Sequence, residues 1–165
     1  VHRVVGRQRQ MCIRDSCAPG GFSALDRRDG YADTLRDLGG EPWMFVPTES
    51  APFEAGRQAM EALMARGAKR PEAIVFANDN LAAGGLLAGQ RAGLKIPEEC
   101  AVLGFGDYPF APMLLPSLST IKPPAREIGE IAALRVLQSI GVLPLEGAVE
   151  RLNLLGCRVL ERESG

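Results

Sequence analysis

The chain of 165 residues holds one histidine, His2, close to its N-terminus. Without an imidazole elsewhere, neither a Ser/His/Asp nor a Cys/His nucleophilic unit can be assembled. No G-x-G-x-x-G or P-loop pattern occurs, and no acidic pair follows an early strand, so phosphoryl transfer on clustered carboxylates and magnesium has no carrier. Asp79, Thr120 and Lys122-Pro123 have the residue types of a phosphoacceptor or hydrolase site, but that likeness is fold analogy alone. The reading is therefore no enzyme, no catalytic residue, no metal and no cofactor. The four cysteines, Cys12, Cys17, Cys100 and Cys157, form no C-x-x-C pair. Cys100 and Cys157 sit in apolar, strand-like surroundings, which predicts buried thiols in a reducing compartment. No apolar run reaches 18 residues and the N-terminus lacks a signal-type apolar region, so a soluble, cytoplasmic chain is expected. A formal net charge of −1 offers no basic face to nucleic acid.

What is present is concentrated between Pro71 and Pro124. Ala73 to Ala77 and Cys100 to Phe105 are unbroken apolar runs of strand length, and Leu81 to Ala92 between them has helical composition closed by Gly93. Strand, helix, strand implies a right-handed parallel crossover in a sheet covered on both faces. The turns Asn78-Asp79-Asn80 and Gly106-Asp107 then share one sheet edge, where open α/β sheets hold their ligands.

The preceding region continues the alternation. Leu25, Tyr31, Leu35 and Leu38 mark a helix stopped by Gly39-Gly40, Trp43 to Val46 a strand, and Phe53 to Arg66 a second helix ended by Gly67. Pro116, Pro123 and Pro124 bracket a segment that the reading excludes from a central strand and takes as a crossing to another lobe. Arg126 to Ile140 is an amphipathic helix, and Val149 to Leu160 returns as one or two strands. At this length the chain can bury a core without a disulfide staple.

Four passages carry a resemblance: D-R-R-D-G-Y (Asp26 to Tyr31), A-N-D-N-L-A-A-G (Ala77 to Gly84), G-L-K-I-P-E-E-C-A-V-L-G-F-G-D (Gly93 to Asp107) and P-S-L-S-T-I-K-P-P-A-R-E-I-G-E-I-A-A (Pro116 to Ala133). With the R-E-S ending at Ser164, they resemble, in order, the effector-binding core of the lactose-repressor/galactose-repressor (LacI/GalR) family of bacterial transcription regulators. The resemblance implies a doubly wound, flavodoxin-like lobe of the type I periplasmic-binding-protein kind. It further implies a sensor of a small sugar or sugar acid that controls operator DNA through an N-terminal reader lying outside this chain. Residues 17–118 would be the C-terminal lobe, 119–148 the crossing segment and a helix of the N-terminal lobe, and 149–165 the return strands. Residues 1–16 fit poorly, and Met11 to Ser16 is similar to a non-native junction where an apolar first strand is due.

The resemblance assigns the effector to Arg27, whose guanidinium fork suits hydroxyl or carboxylate oxygens, and to Asn78, whose amide both donates and accepts. The other reading of Asn78 is an Asx-turn or helix cap; of Arg27, a surface pair. Many relatives carry an aspartate where Gly106 stands here. Loss of that carboxylate favours an acidic, gluconate-like effector, unless Gly106 serves a tight turn and Asp107 takes over the polar contact. Ser50 and Phe53 are further pocket candidates, with core packing the expected role of Phe53. Lys122 and Pro123 mark the hinge, and Ala83 and Leu114 a homodimer interface or simply the interior of the lobe. A periplasmic sugar-binding protein shares the fold and is the alternative.

Overall fold

The computed structural model describes residues 12–13, 22–67, 70–144 and 154–165. Along it run β1 (Cys12–Ile13), α1 (Phe22–Asp37), β2 (Met44–Phe45), α2 (Pro52–Met64), β3 (Ala73–Val75), α3 (Asp79–Arg91), β4 (Ala101–Phe105), β5 (Ser119–Lys122), α4 (Ala125–Ser139) and β6 (Arg158–Leu160). β1 and β2 pair in parallel. β3, β4 and β5 form a parallel ladder, and β6 adds to β5 in antiparallel sense. β1 also lies beside β3, so the spatial order β2-β1-β3-β4-β5-β6 is that of a doubly wound, flavodoxin-like lobe. The expected strand, helix and parallel strand are β3, α3 and β4, and Gly93 ends the helix with φ +76°.

One expectation is corrected. The segment after Ser119 is β5, with partners on both sides: Gly104 faces Thr120 in β4, and Thr120 faces Leu160 in β6. Pro116, Pro123 and Pro124 all lie outside the strand, so each of its four residues keeps the N–H that a ladder needs. A second correction concerns the thiols. Cys100 is buried, which pushes its thiol pKa up to about 11, but Cys157 is exposed. It precedes an edge strand, where apolar neighbours in sequence do not guarantee cover. Cys17, the remainder of the suspected junction beyond the backbone of β1, and Val149 to Asn153 lie outside the described residues.

The core lies between α2, α3 and one face of the sheet. Ala59, Met60 and Leu63 of α2 meet Leu81 and Leu86 of α3 over Ile74, Phe76 and Val102. Period-3.6 stripes on the helices and alternate residues on the strands put these side chains on facing surfaces. The two helices approach backbone to backbone: a Cβ on Gly84 would stand 2.0 Å from the carbonyl oxygen of Phe53. Beyond the sheet, α4 is exposed along its length, with Ile128, Leu134 and Val136, and Ile140 at its C-cap, open to solvent.

Candidate functional site

Both polar turns reach the same edge of the sheet, at the carboxyl ends of β3 and β4. Asn78 leaves β3 in extended conformation, and its Oδ1 accepts from the Leu81 N–H at 3.0 Å. It is therefore the N-cap of α3, the other reading that the sequence offered for this residue. Asp79, fully buried at the first turn of that helix, reaches back across the sheet. Its Oδ1 accepts from Thr120 Oγ1 at 2.6 Å and its Oδ2 from the Tyr108 N–H at 2.7 Å. A buried carboxylate is tolerated there because both oxygens are hydrogen-bonded and the helix N-terminus favours negative charge. Asp79 thus ties α3 to β5 and to the turn after β4.

That turn is bent by its backbone. Gly106 has φ +132°, and its N–H donates to the Ile121 carbonyl at 2.8 Å. A Cβ at Gly106 would lie 2.6 Å from the ring of Tyr108. Glycine is required here by conformation and by space, so the missing carboxylate has a backbone cause of its own. Asp107 follows at φ 53° and turns its carboxylate to two cations. Oδ2 accepts from Lys122 Nζ and Oδ1 from the Arg162 guanidinium, each at 2.7 Å. Lys122 first, then Arg162, holds the Asp107 carboxyl below its ordinary pKa. Arg162 also donates to the Leu118 carbonyl at 2.7 Å, and Ser164, fully buried, bridges Ser119 N–H and the Val102 carbonyl. The C-terminal residues are stitched into the site.

The Arg27 guanidinium stands over the Phe105 ring, 4.5 Å from its centroid, which brings α1 to the same edge. Phe53, expected in the core, is instead half exposed at the start of α2. Its ring packs on Phe110 at 6.2 Å, and Phe110 stands edge-on to Tyr108 at 5.8 Å. The correction has a local reason: the neighbouring face of α3 carries Gly84, so backbone, not the Phe53 ring, fills the helix crossing. Ser50 lies exposed in the loop before α2, where Thr48 is held by Gln58. Arg27, Asn78, Gly106, Asp107 and Lys122 therefore converge, while Ser50 stays in the loop at the start of α2. Arg162 and Tyr108 were not among the candidates, and Thr120 was named only in the phosphoacceptor likeness. A hydroxyl on β5, which flanks β4, and a cation in the C-terminal segment after β6 were the available signal. Among the described residues no cluster of metal ligands occurs.

Residues 5–165 match the periplasmic binding protein-like domain family. The lactose operon repressor of Rhizobium radiobacter is 49% identical over 79 residues, 48% of this chain and 69% of that protein. The chain belongs to this family, in its LacI/GalR branch. The ribose operon repressor of Haemophilus influenzae is 33% identical over 119 residues, 71% of this chain but 35% of its own length. A sugar-binding transcriptional regulator of the LacI family from Escherichia coli, solved in complex with phosphate, superposes with a TM-score of 0.80 at 26% identity, covering 96% of this chain and 55% of that one. The chain thus spans about half of that solved regulator and about a third of the ribose repressor.

Within this LacI-type lobe the remaining candidates separate. Ala83, on α3, is fully buried, so its side chain is not available to a partner. Leu114 is half buried, whereas its neighbours Met113 and Leu115 are exposed and the Leu115 carbonyl accepts from Gln90 of α3. Pro123 and Pro124 form the irregular link between β5 and α4. Lys122 is not a freely solvated hinge charge, since Asp107 holds it. Among the described residues no helix is long and apolar enough to cross a membrane.

Proposed function

We propose that the chain is the effector-sensing part of a LacI-type bacterial transcriptional repressor, and that its effector is an acidic sugar derivative. The observation that carries the finer reading is the charge balance at the sheet edge. Gly106 contributes no carboxylate, Asp107 is committed to Lys122 and Arg162, Asp79 is sealed beneath the turn, and Arg27 brings a further guanidinium. An anion approaching this edge meets cations and no uncompensated carboxylate. Arg27 contacts the anionic group, Asn78 offers its amide nitrogen beside the cap, and Asp107 offers a rigid polar edge. Ser50 and Phe53 belong to the rim.

Residues 17–118, with β5 and the C-terminal strand, form one lobe, and α4 belongs to the other. Effector bound between lobes favours one arrangement of them. In the whole protein, a cytoplasmic homodimer paired near Leu114, that choice alters operator binding through a separate DNA reader. Lys122 and Pro123 lie where the chain leaves the lobe and act as hinge. The sensor performs no chemistry on its ligand. A thermal-shift screen of the full-length protein against D-galacturonate, D-glucuronate, D-gluconate, D-galactose and D-glucose tests the reading, since ligand at about 100 times Kd adds about 2.7 kcal/mol of stability. A rise in Tm with an acid and none with the neutral sugars is expected; the reverse pattern removes the acidic-effector reading, and no shift with any of them removes the sensor reading for these ligands.

A further inference from the structure

We propose that Tyr108 is a specificity-determining residue that contacts the ligand, an aromatic wall for the C–H face of a sugar ring. The inference rests on the effector-binding reading and names a residue that reading leaves out. The backbone of Tyr108 is fixed, because its N–H donates to Asp79 Oδ2 at 2.7 Å and Asp79 is buried and held by Thr120. Its ring is fixed as well, standing at 88° to Phe110, which packs in turn on Phe53 of α2. That ring also covers the space a side chain at position 106 would need, with Cε1 2.6 Å and Cδ1 2.9 Å from the place of a Cβ. An aromatic ring has therefore taken over the wall that a carboxylate at position 106 would otherwise furnish.

Tyr108 nevertheless keeps 36% of its surface open, at the ligand-bearing end of β4. A side chain clamped at both ends loses little freedom when a ligand lands on it. The negative face of its π-system suits C–H groups, and orienting aromatic walls of this kind line small-molecule sites. A linear sugar acid presents no such flat C–H face. The ligand class therefore narrows to a cyclic sugar acid, its ring against Tyr108 and its carboxylate toward the cations.

The test is calorimetric titration of the full-length protein with the cyclic acids D-galacturonate and D-glucuronate and with linear D-gluconate, each variant also melted by circular dichroism. Wild type is expected to bind a cyclic acid more tightly than gluconate. Tyr108→Leu, of similar bulk but without a π face, is expected to lose about tenfold in affinity or more, and Tyr108→Phe to restore what it loses. Tyr108→Trp supplies a readout independent of folding loss, its fluorescence changing as the cyclic acid is added. Wild-type affinity in Tyr108→Leu, a preference for gluconate, or an unresponsive Tyr108→Trp overturns the assignment while leaving the effector reading intact. Failure of wild type to bind any of the three acids overturns both.

Discussion

At the scale of single residues, the site is organised by groups that serve two neighbours at once. Asp107 joins β5, through Lys122, to the C-terminal segment after β6, through Arg162. Its depressed pKa means that the stability it contributes is present above the ordinary aspartate value of 3.8 and is lost as pH falls through the lower folded value. Asp107→Asn is expected to cost about 2–3 kcal/mol at neutral pH, because Arg162 is left largely buried without its counter-ion. Urea unfolding as a function of pH checks this: the gap between wild type and variant closes in acid. Gly106→Asp is expected to destabilise by about 1–3 kcal/mol from φ alone, with the Tyr108 clash in addition. These roles were only partly legible in sequence. The two turns and their charged residues could be placed from the apolar runs before them. The pairing of Asp107 with Arg162 could not, since 55 residues separate them and only the strand order brings them together.

At the scale of elements, β3, α3 and β4 were readable because apolar runs, a helical stripe and a glycine stop all pointed one way. β5 was misread because flanking prolines were given the weight of prolines inside a strand, and Phe53 because a helix's first apolar residue was assumed to face the core. The contact of α2 with α3 depends on absent side chains, which periodicity does not reveal. Gly84→Ala is expected to cost about 2 kcal/mol or more, because the new methyl meets the Phe53 carbonyl and the helices must part. Asn78→Ala is expected to cost about 1 kcal/mol by removing the cap of α3. Chemical denaturation distinguishes the two, and only the first should also disturb the Phe53 and Phe110 contact. Preserved stability in either variant contradicts the corresponding contact.

At the scale of the whole molecule, one covered lobe carries an uncovered helix. The apolar residues of α4 touch no core among the described residues, which accords with a helix whose partner surface belongs to the other lobe. The 165-residue chain produced alone is therefore expected to self-associate with rising concentration, and Leu134→Glu to reduce that association in sedimentation velocity. Such an apolar face was visible in the sequence, and its lack of a covering element followed from the family resemblance, which assigns the helix to the other lobe; periodicity alone gives the face and not the neighbour. The central claim concerns the sheet edge of this lobe as a sensor of an acidic sugar. Its most direct test is calorimetric titration of the full-length wild type and Arg27→Ala with D-galacturonate and D-galactose. The account predicts that wild type prefers the acid and that Arg27→Ala loses about tenfold or more of that affinity while galactose binding changes little. Equal or tighter binding of galactose by wild type, or undiminished binding of the acid by Arg27→Ala, would contradict it.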